Sequence, residues 1–280
     1  MCQEASAVWL ALFVENLEGQ VFMKEIKIAF FDIDGTVFDM DTKTVSDRMK
    51  ETFRKLRENG IKICIATGRS PILLYDIFGV RFDAYVTFNG SYCFNDDGVI
   101  FSNPLSPKDV QQIIKNTREI NRPVALATKT RFAANGLDDD LLAFFQIGGH
   151  SIEESPDFAE VAKQEVFQIM SGGYLSERPQ LVKDTDNAKV AAWWDRAVDI
   201  VPADGGKGVG VTKVLEYFGI DRANAMAFGD GNNDLEMFQA VDNGIAMGNG
   251  SDDLKAIARD VCGKVSEDGI YHYCLAHGLI

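Results

Sequence analysis

Two carboxylates, Asp32 and Asp34, follow an almost continuous apolar run at residues 26–31 and stand one residue apart. Side chains on a strand alternate between faces, so both carboxylates can lie on the same side of the chain where it leaves a sheet. Two ionised carboxylates in that position repel each other and are costly to desolvate without a cation or a shared proton. The pair therefore indicates a site for such chemistry, or alternatively a strand that ends in an acidic turn.

Other reactive groups also follow predicted buried strands. The sequence TGR at 67–69 comes after a strand at 61–66 and precedes a helix, a combination that suits an anion. Lys207 stands in a glycine-rich turn, and Asp230 and Asp234 come directly after a strand. Each of these features taken alone is also compatible with an ordinary capped turn. Their joint occurrence after successive buried strands favours a functional site.

Two common ligand loops are excluded because residues that they require are replaced. The glycine-rich turn at 203–208 is not a Walker A phosphate loop, because Gly208 replaces the required Ser or Thr. The Asp-x-Asn-x-Asp spacing that begins at Asp230 imitates the start of an EF-hand loop. Leu235 and Val241, however, stand where that loop requires Gly and Glu. The lysine and the second group of carboxylates therefore need another explanation.

Buried strands alternate with amphipathic helices, which is typical of an α/β protein. We expect a doubly wound, mostly parallel, Rossmann-like core sheet with the reactive groups at the carboxyl ends of its strands, where open sheets bind ligands. We interpret residues 85–195 as a second, smaller α/β domain inserted into a core of residues 23–84 and 196–280. Within the core we expect a helix at 70–79, capped by a serine, and a strand at 197–201.

Composition limits the classes of partner and the compartment. The chain has 280 residues and a net charge of −14, which argues against a nucleic acid or an anionic membrane as partner. Its five cysteines are scattered without a CxxC pair, which favours a reducing compartment, and we expect a cytoplasmic protein. Residues 1–22 lack the features of a signal peptide, and we interpret them as a dispensable extension before Met23.

Taken together, these groups closely resemble the four motifs of the haloacid dehalogenase-like (HAD) hydrolase superfamily. The sequence DIDGT at 32–36 is similar to the first motif, Thr67 to the second, Lys207 to the third and GDGNND at 229–234 to the fourth. The sequence ATGR at 66–69 and the large insert between the second and third motifs resemble the Cof-type, subclass IIB branch. The resemblance covers roughly residues 24–280.

The resemblance implies a Mg²⁺-dependent phosphatase that works through an aspartyl-phosphate. Asp32 would be the nucleophile, and Asp34 would protonate the leaving oxygen and then activate water. The implied Mg²⁺ ligands are the Asp32 carboxylate, the Asp34 backbone carbonyl and Asp230, with Asp234 in the outer coordination shell. The implied phosphate-binding residues are Ile33, Thr67, Gly68, Lys207 and Asn233.

The resemblance further implies that the smaller domain is a cap that closes over the site and contacts the leaving group of a small phosphate ester. Sugar phosphates and phosphorylated cofactors are the implied substrates, and we expect a monomer or a weak homodimer. Arg131 and Gln168 are candidate cap contacts, although an ordinary solvated face is the favoured interpretation for both. A phosphomutase or phosphotransferase and a catalytically silent binding protein remain alternatives. A dehalogenase is disfavoured, because that chemistry needs neither the acid at Asp34 nor a metal.

Overall fold

The computed structural model of the protein describes residues 25–74, 79–192 and 194–280. The N-terminal extension that we expected at residues 1–22 lies outside this part of the chain. Within it, none of the helices has the length and apolar character needed to cross a bilayer. The cysteines that it includes are buried and form no disulfide: Cys64, Cys93, Cys262 and Cys274.

Strands and helices alternate along the described chain. In chain order the strands are β1 (Ile28–Phe31), β2 (Lys62–Ala66), β3 (Ala84–Thr87), β4 (Tyr92–Asn95), β5 (Gly98–Ser102), β6 (Val124–Ala127), β7 (Phe132–Ala134), β8 (Gln168–Gly172), β9 (Ala188–Ala191), β10 (Ala197–Pro202), β11 (Ala225–Gly229), β12 (Asn243–Ala246) and β13 (Asp260–Val261). The helices are α1 (Asp47–Glu58), α2 (Pro107–Glu119), α3 (Asp139–Ile147), α4 (Phe158–Val161), α5 (Arg178–Leu181), α6 (Lys207–Phe218), α7 (Leu235–Ala240), α8 (Asp252–Ile257) and α9 (Gly269–Ala276).

The larger sheet has the strand order β13-β12-β11-β1-β2-β3-β4-β5. Strand β1 pairs in parallel with β2 and β11, and the β3-β4-β5 end of the sheet is antiparallel. Helices α1 and α9 pack on one face, and α6, α7 and α8 pack on the other. The predicted doubly wound, mostly parallel α/β fold is confirmed, with the strand that precedes Asp32 in the middle of the sheet.

The smaller sheet has the strand order β7-β6-β8-β10-β9 and is antiparallel. One of its faces is covered by α2 and α5. Alternation along β8 places Ile169 on that covered face and Met170 on the opposite face, among the aromatic side chains of α3. Strand β10 alternates in the same way around Asp199. The second face of this sheet is therefore the one that can reach the larger domain.

The sheets do not divide the chain at the boundaries that we expected. Strand β10, predicted at 197–201 as part of the core, belongs to the smaller sheet, and β4 and β5, which we placed in the cap, extend the larger one. The prediction was wrong because a continuous apolar run reports burial on both faces, and β10 is buried between cap helices and the other domain. Where we expected a helix at 70–79, the described residues form a short 3₁₀ turn, Pro71–Leu73, which the Ser70 side chain does not cap, and residues 75–78 lie outside the described chain.

A polar cluster ties together the two chain segments that pass between the sheets. The Asp204 carboxylate accepts hydrogen bonds from Asn103 Nδ2 at 2.9 Å and from Asn187 Nδ2 at 2.8 Å. Asn103 follows β5, and Asp204 precedes α6, so both linkers are held at one point. These hydrogen bonds join the two linkers to each other shortly before Lys207 in the chain.

Candidate active site

The end of β1 places Asp32 and Asp34 at the carboxyl edge of the larger sheet, followed by a tight turn. The Ile33 carbonyl accepts from three backbone N–H groups of this turn at 2.8–3.2 Å. Gly35 in the turn has φ +83°, and a Cβ atom there would lie 2.3 Å from Oδ2 of Asp230. Glycine is therefore required here both for the backbone conformation and for the close approach of the β11 carboxylate.

Lys207, the first residue of α6, lies between two carboxylates. Its Nζ is 2.6 Å from Oδ1 of Asp32 and 2.6 Å from Oδ1 of Asp234, and its side chain is fully buried. Burial by itself would lower the pKa of Lys207, but the charges of Asp234 and Asp32 outweigh burial and raise it. Lys207 therefore stays an ammonium ion and neutralises part of the negative charge around it.

An acidic cluster is formed by Asp32, Asp230 and Asp234, which each offer a carboxylate oxygen within 4.8 Å of the others. Burial raises the pKa of Asp32 well above its usual range, against the opposing effect of Lys207. Burial and the charge of Asp234 raise the pKa of Asp230 to about 6. When its three carboxylates are ionised, the cluster carries more negative charge than Lys207 offsets, and its oxygen donors are those that Mg²⁺ prefers. These residues therefore fit a divalent cation.

The members of the acidic cluster differ in how the protein already holds them. Oδ2 of Asp234 accepts from the backbone N–H groups at positions 230 and 231, each at 3.0 Å, and its Oδ1 accepts from the buried ammonium. Asp230 accepts at Oδ1 from the Thr36 hydroxyl at 2.8 Å. These contacts suit Asp234 to orient the loop after β11, and they suit Asp32 and Asp230 to hold a cation.

The loop after β2 brings Arg69 to Asp34. Arg69 Nε donates to Oδ2 at 2.8 Å, and its Nη2 donates to Oδ1 at 2.5 Å. The buried Thr67 hydroxyl accepts from the Arg69 N–H at 3.1 Å, which leaves the hydroxyl proton to donate elsewhere. A Cβ atom at Gly68 would lie 3.0 Å from Oδ1 of Asn89. This loop therefore presents a hydroxyl and a close-packed backbone beside the carboxylates.

A cavity of about 420 Å³ lies above these groups and is bounded by both domains. Its floor includes Asp32, Asp34, Thr67, Gly68, Asp230 and Asn233. Its roof includes Phe132, Phe144, Phe145, Met170, Gln168 and Asp199. His150 also lines the roof, and burial and then the charge of Arg69 lower the pKa of its imidazole, against Asp34. The volume is in the range typical of small-molecule sites.

The two candidate cap contacts lie in different environments. Gln168 lines the cavity and is 6% exposed, so it does not lie on the solvated face that we favoured. Arg131 is paired instead with Asp157 through Nη1–Oδ2 and Nη2–Oδ1 contacts of 2.7 and 2.9 Å, and both side chains are largely exposed. Gln168 therefore stays a candidate for contact with a ligand, whereas Arg131 is occupied at the surface.

The structure brings most of the predicted site residues together. Thr67, Gly68 and Asn233 line the cavity with Asp32, Asp34 and Asp230, while Lys207 and Asp234 lie behind Asp32. The Ile33 side chain is fully buried in the core, so this residue could contact a ligand through its backbone alone.

Sequence reasoning missed several residues of the site. We did not predict the two-bond pairing of Arg69 with Asp34, which is called the Arg69 clamp below. Nor did we predict that Asn89 and the buried Asp199 line the cavity. Asn89 has φ +51°, and its sequence signal, an Asn-Gly pair, indicated a turn and gave no indication of a ligand. Asp199 lies in an otherwise apolar strand, where a lone buried carboxylate is a signal that could have been used.

Comparison with known proteins places these features in a family context. The family model described as haloacid dehalogenase-like hydrolase matches residues 29–274. YkrA of Bacillus subtilis (strain 168) is 32% identical over 257 residues, which cover 91% of this chain and 98% of that protein. From the same organism, 5-amino-6-(5-phospho-D-ribitylamino)uracil phosphatase YitU is 28% identical and covers 86% of this chain and 94% of its own length.

A solved structure shows the same architecture. The HAD subclass IIB sugar phosphatase BT4131 matches this chain with a TM-score of 0.82 at 26% identity, covering 91% of this chain and 100% of that one. The predicted resemblance to this superfamily and to its subclass IIB branch is confirmed.

Proposed function

Because the chain belongs to the haloacid dehalogenase-like hydrolase family, we propose that it hydrolyses small phosphate monoesters, with Mg²⁺ and through an aspartyl-phosphate on Asp32. One observation carries the proposal. Groups from three strand ends and one helix start converge beneath a single cavity: Asp32 after β1, Thr67 after β2, Asp230 after β11 and Lys207 at the start of α6. A nucleophile, a hydroxyl donor, a buried ammonium and a cation site are the parts that phosphoryl transfer requires.

The first half-reaction forms a bond between an Asp32 carboxylate oxygen and phosphorus. The bond from phosphorus to the ester oxygen breaks, and Asp34 delivers a proton to that leaving oxygen. In the second half-reaction Asp34 accepts a proton from water, the water oxygen attacks phosphorus, and the bond to Asp32 breaks to release inorganic phosphate. Arg69 donates to both oxygens of Asp34, so it must release one of them before that oxygen can carry the proton that Asp34 delivers.

The remaining residues orient the phosphoryl group and balance its charge. Thr67, the Gly68 backbone and Asn233 surround the position that its oxygens would take, and Lys207 supports Asp32 from behind. The Asp32 carboxylate, the Asp34 carbonyl and Asp230 would hold Mg²⁺, with Asp234 as their support. When bound there, Mg²⁺ offsets the repulsion between the carboxylates and an anionic phosphate.

The substrates that we propose are small phosphorylated metabolites, either sugar phosphates or phosphorylated cofactors. Two relatives support this range, since one is named for a phosphoribitylamino-uracil and another is a sugar phosphatase. The roof of the cavity is built by the cap, which would contact the leaving group and exclude water.

The experiment is release of inorganic phosphate from a panel of phosphate monoesters, with acetyl phosphate as a small activated ester, in Mg²⁺ and in EDTA. We expect turnover that requires Mg²⁺ and is abolished in Asp32→Asn, which removes the nucleophile at nearly constant shape. Full activity in chelated samples would contradict the proposal, as would a catalytically silent wild type. Release that requires a bisphosphate activator would instead identify a phosphomutase.

A further inference from the structure

The cap sheet carries a buried polar pair, Gln168 and Asp199, on the face that lines the cavity. The two residues are 6% and 3% exposed, and they are neighbours on the paired strands β8 and β10. Nε2 of Gln168 donates to Oδ1 of Asp199 at 2.7 Å. This bond fixes the amide of Gln168, so that its orientation is set by the protein before any ligand arrives.

The opposite atom of that amide, Oε1, is buried and accepts no hydrogen bond from any residue of the described chain. On the core side of the same cavity, the buried Ser70 Oγ is also without a partner among the described residues. Buried polar atoms are normally satisfied, because an unmade hydrogen bond costs free energy. Since both residues line the cavity, a molecule bound there can replace water as their hydrogen-bond partner.

The walls around Gln168 are apolar and largely aromatic. Phe132, Phe144, Phe145 and Met170 line the roof, and the ring of Phe145 lies edge-on to those of Phe132 and Phe144, with centroids 5.3 and 5.7 Å apart. Such a surface favours a flat apolar ring over a sugar, whose several hydroxyl groups would each need a polar partner. The fixed Oε1 accepts, so the ring must offer a donor.

We propose that the leaving group of this enzyme is a flat aromatic ring that bears an N–H or O–H donor, and that Gln168 is the residue that recognises this donor. The inference rests on the proposed phosphatase function and narrows its substrate class. The ring packs against Phe144 and its neighbours, its donor binds Oε1 of Gln168, and its phosphate reaches Asp32. Asp199 acts as a positioning residue that holds the amide.

Three esters that carry phosphate on a CH₂ group attached to a six-membered ring test this proposal. Pyridoxine 5′-phosphate has an aromatic ring with donors, benzyl phosphate has an aromatic ring without them, and glucose 6-phosphate has a hydroxylated non-aromatic ring. Values of kcat/KM are measured with Mg²⁺ for the wild type, for Gln168→Leu and for Gln146→Leu. Gln146 is an exposed residue of α3 and serves as the matched control.

We expect the wild type to prefer pyridoxine 5′-phosphate to benzyl phosphate by about tenfold or more, and both to glucose 6-phosphate. Gln168→Leu should bring the two aromatic esters to within about threefold of each other, while Gln146→Leu keeps the wild-type ranking and the wild-type rate on acetyl phosphate. A wild type that prefers glucose 6-phosphate would overturn the proposal, and so would an unchanged aromatic ratio in Gln168→Leu. If Gln168→Leu does not fold, Phe144→Ala should weaken both aromatic esters and spare glucose 6-phosphate; equal losses on all three would overturn the proposal.

A binding measurement separates this inference from the proposed function. Dissociation constants for the three esters are determined by calorimetry with Asp32→Asn in Mg²⁺, and again with Gln168→Leu added. The preference for pyridoxine 5′-phosphate over benzyl phosphate should persist in the first protein and disappear in the second, while glucose 6-phosphate stays the weakest ligand of both. If no ester, including acetyl phosphate, is hydrolysed by the wild type but this pattern is found, the phosphatase proposal fails and the ligand class stands. Equal affinities for the three esters would overturn the ligand class.

Discussion

The guanidinium of Arg69 holds the carboxylate of Asp34 with two hydrogen bonds, Nε to Oδ2 at 2.8 Å and Nη2 to Oδ1 at 2.5 Å. The two residues come from the ends of adjacent parallel strands. The Arg69 side chain is 14% exposed and packs 5.7 Å from the centre of the Phe38 ring, so the guanidinium is itself held in place. Paired in this way, Asp34 is held in one orientation at the cavity, and Arg69 must release one of its oxygens before that oxygen can carry a proton.

Loss of this clamp should reduce turnover more than binding. We expect Arg69→Gln to lower kcat by roughly 10- to 100-fold with a small change in KM, because a mispositioned proton donor loses part of its catalytic contribution. Arg131→Gln is the matched control, since it removes an equivalent two-bond arginine–aspartate pair outside the cavity. Steady-state kinetics on one good ester measures both variants, and a kcat for Arg69→Gln within threefold of wild type would contradict the role.

Substitution of the two aspartates of the first motif, Asp32 and Asp34, should block different steps of the reaction. Asp32→Asn should lose turnover entirely, whereas Asp34→Asn should form a phosphoenzyme and hydrolyse it slowly, because water is no longer activated. The measurement is acid quenching after mixing with a radiolabelled ester, followed by counting of label on the protein. Activity of Asp32→Asn within tenfold of wild type would refute the covalent role of that residue.

The raised pKa of Asp230, about 6, gives a prediction for the metal-free protein. Between the pKa of Asp230 in the unfolded chain and pH 6, the carboxyl group keeps its proton in the native state but loses it in the unfolded chain. The contribution of Asp230 to the free energy of unfolding therefore falls as the pH rises through that range. Above pH 6 Asp230 is ionised in both states. Burial of its charge then carries its full penalty, which lowers the free energy of unfolding by at most about 3 kcal/mol because the native and unfolded pKa values differ by about two. The penalty is relieved again when a cation binds.

We therefore expect Asp230→Asn to be more stable than the wild type at pH 7.5 in EDTA, with a difference that shrinks towards pH 4. The amide keeps the acceptor for the Thr36 hydroxyl but removes the buried charge. Mg²⁺ should stabilise the wild type and leave the variant unchanged. Urea unfolding at both pH values, with and without Mg²⁺, measures these differences. A variant less stable than the wild type at pH 7.5 in EDTA would show that the buried charge of Asp230 does not destabilise the metal-free protein.

The turn at Gly90 controls how closely the core hairpin approaches Lys207. Gly90 has φ +93°, and a Cβ atom there would lie 1.9 Å from the Gly206 carbonyl oxygen. Backbone strain and the clash together should make Gly90→Ala cost about 3 kcal/mol or more of unfolding free energy. Gly219→Ala is the control, because Gly219 has φ +63° and a Cβ atom added there would have no atom of the described residues within 4 Å, so it should cost about 1 kcal/mol. Equal losses in chemical denaturation would mean that the Gly206 segment moves aside freely.

Local patterns in the sequence determined much of the fold and of the floor of the site. Apolar runs that end in Asp32, Thr67 and Asp230 predicted parallel strands whose carboxyl ends meet, and the confirmed fold brings these residues to one cavity. This succeeds because the alternation of strand and helix is encoded over short stretches of chain, and sheet topology then brings the strand ends together.

The tertiary structure alone decided which residues are partners. Strand β10 has the same apolar pattern as a core strand, yet it pairs with β8 in the smaller sheet. Arg69 and Arg131 are indistinguishable by type, but one reaches Asp34 in the site and the other a surface aspartate. The orientation of the Gln168 amide is determined by Asp199, which lies 31 positions further along the chain. Periodicity reports how deeply a residue is buried, whereas its partner depends on packing between distant segments, which no local pattern encodes.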